Sequence, residues 1–444
     1  MFEKKIKLRN AEYLLRVEIK GPGKELSGAC VELSPDGDHW LTAALLPQTG
    51  EESYSAIVPV HAKVRQVRLV SESAPFGPEC EIKATAGQPG EFINGADVSH
   101  LMQLEDFGGR FFDRDGVEQD CLRILKDHGV NSIRLKVWNK PGLPDNDPAG
   151  YNDCAHVLKM AKRVKDMGFT LLIDFHYSDW WTDPGKQFMP QEWKELSFPQ
   201  LEKALYDFTY KLIHDLKRQG SMPEMVQIGN EITNGMLWDV ARLGGEFDTD
   251  EQWDKLCALL KSGLAAVKAV DPSIRTIVHI ERGADNDRSV YFFDKLREKG
   301  ICFDDIGLSY YSLWHGPMEN YKKNINDLAV RYGKNILVVE TAYPYTAEDG
   351  DDTPNASKNP GCSLLPGYPA TLQGQASNFH TVISLLKDLP DNRGTGCFYW
   401  EPAFIPVKGA GWKYGEGSEW DDQTLFDFNG RALWTLEVFR MHGR

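Results

Sequence analysis

Two textures of hydrophobic and polar residues divide this chain. Over residues 1 to 88 the pattern has a period of two. Leu15, Val17 and Ile19 alternate with Arg16, Glu18 and Lys20, as in strands with one buried face. GPGK at 21–24 and SPDGD at 34–38 supply turns between such runs. The segment reads as a small all-β, sandwich-like domain, closed by the polar linker TAGQPGE at 85–91. No cluster of aromatics stands out in it, so a stabilising or spacing role is a plainer reading than a carbohydrate-binding module.

From residue 92 short apolar runs alternate with helical stripes. Val157, Ala161 and Val164 form one stripe, and Leu201, Leu205, Phe208, Leu212 and Leu216 form another that stops at Gly220. Asp115 to Glu118 resembles a capping box opening a helix that Gly129 ends. Between the helices lie eight candidate strands, at 92–98, 132–138, 170–176, 225–231, 275–281, 304–311, 335–341 and 396–401. Eight strands separated by helices predict an α/β fold, a (β/α)8 TIM barrel over residues 89–444. The alternative is a doubly wound sheet, but no Gly-rich phosphate loop follows an early strand.

Such a barrel carries its chemistry at the C-terminal ends of its strands. Here those ends read Arg134 and Trp138, Asp174 and His176, Asn230-Glu231, His279 and Glu281, Tyr311, Glu340, and Trp400-Glu401. A buried ion-pair network is the bland account of any one of them. It weakens as they recur, because each unpaired polar group buried costs about 2–7 kcal/mol. Glu231 and Glu340 stand out, on strands four and seven, which face each other across the barrel mouth. A glycosidase needs one protonated carboxyl for the leaving oxygen and one carboxylate for the anomeric carbon. Trp138, Trp180, Trp181, Trp238, Trp314 and Trp400 fall at or just beyond strand ends, where aromatic faces stack on sugar rings. Trp253 and Trp434, on helical stretches, read as core.

Composition narrows the partners. A net charge of −15 disfavours nucleic acid and anionic membrane surfaces, and no run of 18 apolar residues could span a bilayer. The opening MFEKKIKLRN has no apolar stretch behind its basic residues, as in a cytosolic chain or a mature form without its export signal. The eight cysteines show no metal spacing; Cys30 and Cys80 could pair, but buried thiols are the simpler reading for most.

Seven motifs together resemble glycoside hydrolase family 53, the endo-β-1,4-galactanases. They are GADVSH at 95–100, GVNSIRLKVWNKP at 129–141, LLIDFHYSDWWTDPGKQ at 171–187, VQIGNEITNGMLW at 226–238, LSYYSLWHG at 308–316, VVETAYPYT at 338–346 and YWEPAFIP at 399–406. The resemblance spans residues 92–442. It implies a retaining endo-acting enzyme with Glu231 as acid/base and Glu340 as nucleophile. Asn230 would hold the sugar 2-hydroxyl, Arg134 and Tyr311 would bond the nucleophile, and His176 and Trp400 would line the same subsite. Asp97, Trp181 and Trp314 would lie in or near the groove; Trp138 and Asp174 complete the expected substrate-binding set. Tyr310 points away from Tyr311 by strand alternation.

The family also implies a structural Ca²⁺ between the loops after strands seven and eight, held by Asp349, Asp351, Asn355, Ser418 and Asp421, with Thr353 where the family usually has His. Oxygen donors suit that ion, and no organic cofactor is expected. The implied partner is a polysaccharide, β-1,4-galactan, met by a monomer in an extracellular, cell-surface or periplasmic setting. A metal-dependent hydrolase using Asp174, His176 and His279 is a competing reading that lacks an HxH on strand one, where Asp97-Val-Ser-His100 stands. Other readings are an inactive glycan-binding barrel and another retaining β-glycanase of the same clan.

Overall fold

A computed structural model describes residues 1–142 and 150–443. The N-terminal segment is all-β, with strands Phe2–Pro22, Cys30–Ser34, Leu41–Leu45, Ser53–Ser71 and Glu81–Ala86. They bond into one antiparallel sheet, ordered third, second, fourth, first, fifth. The expected sandwich is therefore not two separate sheets. Strands of 21 and 19 residues run the length of the segment and pair with each other, with the second and fifth strands on their outer sides and the third beyond the second. A register shift between Leu14 and Arg16 breaks the alternation read from the sequence. Leu14, Val17 and Ile19 are the buried row, while Leu15 is only half-buried.

The barrel strands run Ile93–Asp97, Ser132–Val137, Thr170–Phe175, Met225–Ile228, Arg275–Ile280, Asp305–Ser309, Asn335–Thr341 and Gly394–Trp400. All eight are parallel and close in chain order, the eighth pairing with the first. Helices form where the stripes predicted, over Cys154–Asp166 and Phe198–Arg218. The capping box at Asp115 does not open the helix Cys121–Asp127. Asp120 caps it instead, accepting from the backbone of Leu122 and Arg123, while 115–118 is a turn bonded to Asp113.

Inside the barrel, side chains rise in layers two residues apart. An apolar plug of Leu172, Met225, Ile277, Leu337, Val339 and Phe398 fills the lower levels. Phe398 fits because Gly95 beside it has no side chain: a Cβ there would lie 2.2 Å from the ring. One step along the strands, Arg134, Asp174, Gln227 and His279 replace the apolar residues. A further step reaches His176 and Trp400, which open on the barrel mouth.

The sheet rests on the barrel's last long helix, Leu372–Lys387. Thr42 N donates to Ser377 Oγ at 2.8 Å, and Ser384 Oγ donates to Val60 O at 2.8 Å. This helix is buried continuously from Gly374 to Leu386, so it shows no solvent-facing stripe.

Candidate active site

At the end of the fourth barrel strand the chain leaves β geometry abruptly. Gly229 has φ 81° and Glu231 φ 52°, the left-handed region that costs a non-glycine residue about 1–3 kcal/mol. That turn belongs to a cleft of about 400 Å³ at the barrel mouth, lined by both Glu231 and Glu340. On strand seven a register shift after Val338 pairs Glu340 with Ser309 of strand six.

The two carboxyls have different neighbours. Glu340 Oε1 lies 2.9 Å from Arg134 Nη2, and its Oε2 accepts from the Tyr311 hydroxyl at 3.0 Å. Glu231 Oε1 accepts from the Ser309 hydroxyl at 2.6 Å. Burial raises both carboxyls. Glu231 goes far above its ordinary value, with Glu340 and Glu281 adding repulsion. Glu340 rises less, because the Arg134 guanidinium opposes burial. Burial and the Glu340 charge also raise Tyr311 well above its usual value, so its phenol keeps its proton and donates it. Two carboxyls whose environments push their affinities apart can serve as proton donor and nucleophile in one site.

Beneath the cleft floor the charges are paired. Arg134 bonds Asp97 at 2.7 Å and Asp174 at 2.8 Å, and Asp174 meets His176 Nε2 at 2.9 Å. Thr182 N donates to His176 Nδ1 at 2.8 Å, so Nε2 carries the ring proton and donates to Asp174. Asn230 accepts from Arg134 at 3.0 Å and donates to Thr182 O at 2.7 Å. Burial pushes Asp97 up, but Lys136 and Arg134 outweigh it and hold the carboxyl at about 2.

Of the residues expected from the sequence, His176, Trp181, Asn230, Tyr311, Trp314 and Trp400 line the cleft. Asp97, Arg134, Asp174 and Trp138 do not. All four are buried: Asp97, Arg134 and Asp174 lie beneath the floor, and Trp138 packs behind the wall against His176 and Trp412. Trp180 and Trp238 also lie outside the cleft, the latter tied by its Nε1 to Asn234 O at 2.8 Å. Trp253 and Trp434 are buried. Tyr310 stacks on Tyr321 at 4.2 Å, away from the site.

Sequence reasoning missed three contributors. Lys136 lines the cleft with its ammonium 2.6 Å from Glu401 and 4.5 Å over the Trp400 ring. Glu401 in turn meets His100 Nδ1 at 2.8 Å. A cation on the same strand face as Arg134 was the available signal for Lys136. Trp412 and Trp420 come from the long loop after strand eight, which has no periodicity to place them. Trp412 stacks between Trp181 at 5.1 Å and Trp400 at 5.8 Å, and Trp420 meets Trp400 edge-on at 4.5 Å.

Behind the rim, oxygens of Asp349, Asp351 and Asp421 lie within 4.8 Å of one another. The buried Asn355 Oδ1 has no hydrogen-bond partner among the described residues, while its Nδ2 donates to Asp421 Oδ1 at 2.8 Å. An orphaned carbonyl oxygen beside three carboxylates is the donor set of a hard cation. The Ser418 hydroxyl donates to Phe404 O at 2.7 Å, and its backbone N–H bonds Asp351 at 2.9 Å. Burial, with Asp349 and Asp351 nearby, raises Asp421 to about 6. All eight cysteines, Cys30 and Cys80 included, are free thiols.

The profile of Glycosyl hydrolase family 53 matches residues 93–439. An endo-β-1,4-galactanase of Bacillus subtilis is 35% identical over 81% of this chain and 88% of its own length. An arabinogalactan endo-β-1,4-galactanase of Cellvibrio japonicus is 33% identical over 76% of this chain and 86% of its own. Among solved structures, the GH53 catalytic domain of Ignisphaera aggregans is 42% identical, with a TM-score of 0.76, covering 81% of this chain and 98% of that one.

Proposed function

Because the chain belongs to glycosyl hydrolase family 53, we propose that it is a retaining endo-β-1,4-galactanase acting on galactan and arabinogalactan. In this reading Glu340 attacks the anomeric carbon and Glu231 protonates the leaving oxygen, then deprotonates the water that releases the glycosyl-enzyme. The observation that carries the assignment is the asymmetry at the cleft. Arg134 and Tyr311 both bond Glu340, while Glu231 rests on a neutral hydroxyl. A carboxylate held by a cation suits a nucleophile, and a buried carboxyl of high proton affinity suits an acid. Asn230 stands beside Glu231 on the cleft wall, placed to meet the sugar 2-hydroxyl, and Trp181, Trp314 and Trp400 offer faces to the sugar rings, with Trp412 packed between Trp181 and Trp400.

β-1,4-Galactan carries an axial oxygen at C4, so its chain bends where cellulose lies flat. A groove built for the bent chain leaves polar groups unpaired with glucan, a mismatch that reaches about 10⁴-fold. Purified enzyme is therefore expected to lower the viscosity of galactan rapidly, release β-anomeric ends first, and leave cellulose and mannan untouched. Comparable rates on cellulose would remove the galactanase reading. An α-anomeric first product, seen by NMR, would remove the retaining mechanism.

The remaining assignments rest on this one. Residues 1–88 serve as an accessory unit and 89–444 as the catalytic barrel. Asp349, Asp351, Asn355 and Asp421 hold a structural Ca²⁺ that ties the two rim loops, with Ser418 oriented by its backbone N–H. A polymer substrate does not enter cells, so the enzyme works outside the cytosol, as a monomer, without disulfides to brace it.

A further inference from the structure

His279 is fully buried on the fifth barrel strand and takes no part in the two-carboxylate chemistry above, yet it stands one hydroxyl away from Glu231. Gln227 Nε2 lies 2.9 Å from His279 Nδ1. The Glu231 backbone N–H faces the same nitrogen at 3.4 Å, against one acceptor, Asn230 Oδ1 at 3.1 Å. An amide nitrogen only donates, and with two donors aimed at it Nδ1 accepts and the ring proton sits on Nε2. That nitrogen is 2.8 Å from Ser309 Oγ. With its lone pair occupied by this donor, the serine hydroxyl turns its own proton to Glu231 Oε1, 2.6 Å away. Every link therefore points one way, from Gln227 through His279 and Ser309 to the carboxyl.

We infer that Ser309 and His279 form a directed hydrogen-bond relay that keeps the transferable proton of Glu231 on Oε2 and stabilises the carboxylate left after transfer. This rests on Glu231 being the acid/base. An oxygen that accepts the serine proton is not the one that carries the acidic hydrogen, so the donor is Oε2. When Oε2 gives its proton to the departing glycosidic oxygen, the new negative charge finds a hydrogen bond already in place. When water attacks the glycosyl-enzyme, its proton returns to Glu231 and its oxygen bonds to C1 as the Glu340 ester bond breaks. The relay itself exchanges no proton: burial and the nearby Arg134 charge hold His279 well below its ordinary value, so it stays neutral. Ser309 and His279 are thus positioning residues.

The other groups acting on Glu231 are Glu340, Glu281 and Asp183, which raise its proton affinity, together with Lys186 and the Tyr311 phenol, which sense its charge. Against three carboxyls, Ser309 is the contact that favours the ionised form. A hydrogen bond to a charged group is worth about 1.5–3 kcal/mol, which corresponds to about one to two pH units.

The test is the alkaline limb of kcat/KM on soluble galactan, which reports loss of the acid's proton in the free enzyme. In Ser309→Ala that limb should move to higher pH by about one to two units, with a lower maximum, while Ser309→Thr, which keeps the hydroxyl, should return it toward wild type. His279→Ala leaves the hydroxyl but frees its orientation. It should move the limb in the same direction by less, and it serves if Ser309→Ala does not fold. Glu231→Ala separates the failures, since it should have no such limb. If the limb persists there, Glu231 is not the acid and the relay falls with it. If Glu231→Ala loses the limb but the folded Ser309 and His279 variants keep the wild-type limb, the relay alone is overturned.

Discussion

Arg134 Nη2 lies 2.9 Å from Glu340 Oε1 and 2.8 Å from Asp174 Oδ2, so one buried guanidinium neutralises two carboxylates on different strands. Removing it takes the cation from both and leaves Asp97 to Lys136 alone. Breaking a buried pair from one side costs about 3–5 kcal/mol. Arg134→Ala should lose stability on that scale and lose activity beyond it. Arg134→Lys cannot span the same partners and should rescue little. Urea unfolding and galactan kinetics on the two variants check this; a stable, active Arg134→Ala protein would contradict it.

Glu340→Ala should lower kcat by on the order of 10⁵-fold or more while keeping the fold. Glu231→Ala should lose about 10²–10⁴-fold on galactan, and much less in the first step on aryl galactosides whose leaving group needs no proton. Burst kinetics separates the steps. Equal losses on both substrates would count against the roles assigned to the two residues.

Trp412 is the ring that the aromatic wall shares, stacked against Trp181 and Trp400. Each such contact is worth about 0.5–1.5 kcal/mol. Trp412→Ala should raise KM on galactan by about tenfold and leave the pH profile in place. Initial rates across substrate concentration decide it, and an unchanged KM would place substrate elsewhere.

A cation held by Asp349, Asp351, Asn355 and Asp421 would bind the folded chain only. At about 100 times its Kd such a ligand adds about 2.7 kcal/mol. Chelator should lower the unfolding midpoint, and Ca²⁺ should restore it. Asp351→Ala should show neither change. A midpoint indifferent to chelator, in protein free of metal by elemental analysis, would end the assignment.

Acid should loosen the junction between sheet and barrel. His380 and His442 face each other at 3.0 Å, and His442 Nδ1 meets His61 O of the sheet at 2.9 Å. Burial lowers both, His380 to about 3 and His442 well below its ordinary value. Unfolded, each binds a proton near pH 6.5. Between pH 6.5 and 3 the unfolded chain therefore holds more protons, and stability present above 6.5 is lost as the pH falls, by about 1.4 kcal/mol per unit for each histidine. His380→Gln should flatten that slope between pH 6.5 and 4. A slope identical to wild type would mean that other groups set it.

How much of this was legible beforehand follows from the range of the forces involved. All eight barrel strands stood in the sequence to within a few residues, because a strand buried on both faces writes itself as a short apolar run whatever its neighbours do. Glu231 and Glu340 were legible for the same reason, as charges at the end of such runs. The single N-terminal sheet was not, since pairing partners as far apart as Phe2 and Ser71 and the shift at Leu14 leave no local mark. Nor was the layer to which a polar residue belongs. Arg134 and Lys136 share one face of one strand, yet the first is sealed beneath the floor and the second lines the cleft. Trp412 had no periodicity to announce it, and the Ser309–His279 contact depends on the register between two paired strands, which leaves no mark in either one alone. Local chemistry is spelled along the chain; distances across the barrel mouth are decided by closure, where a shift of one residue in register would aim each of these groups elsewhere.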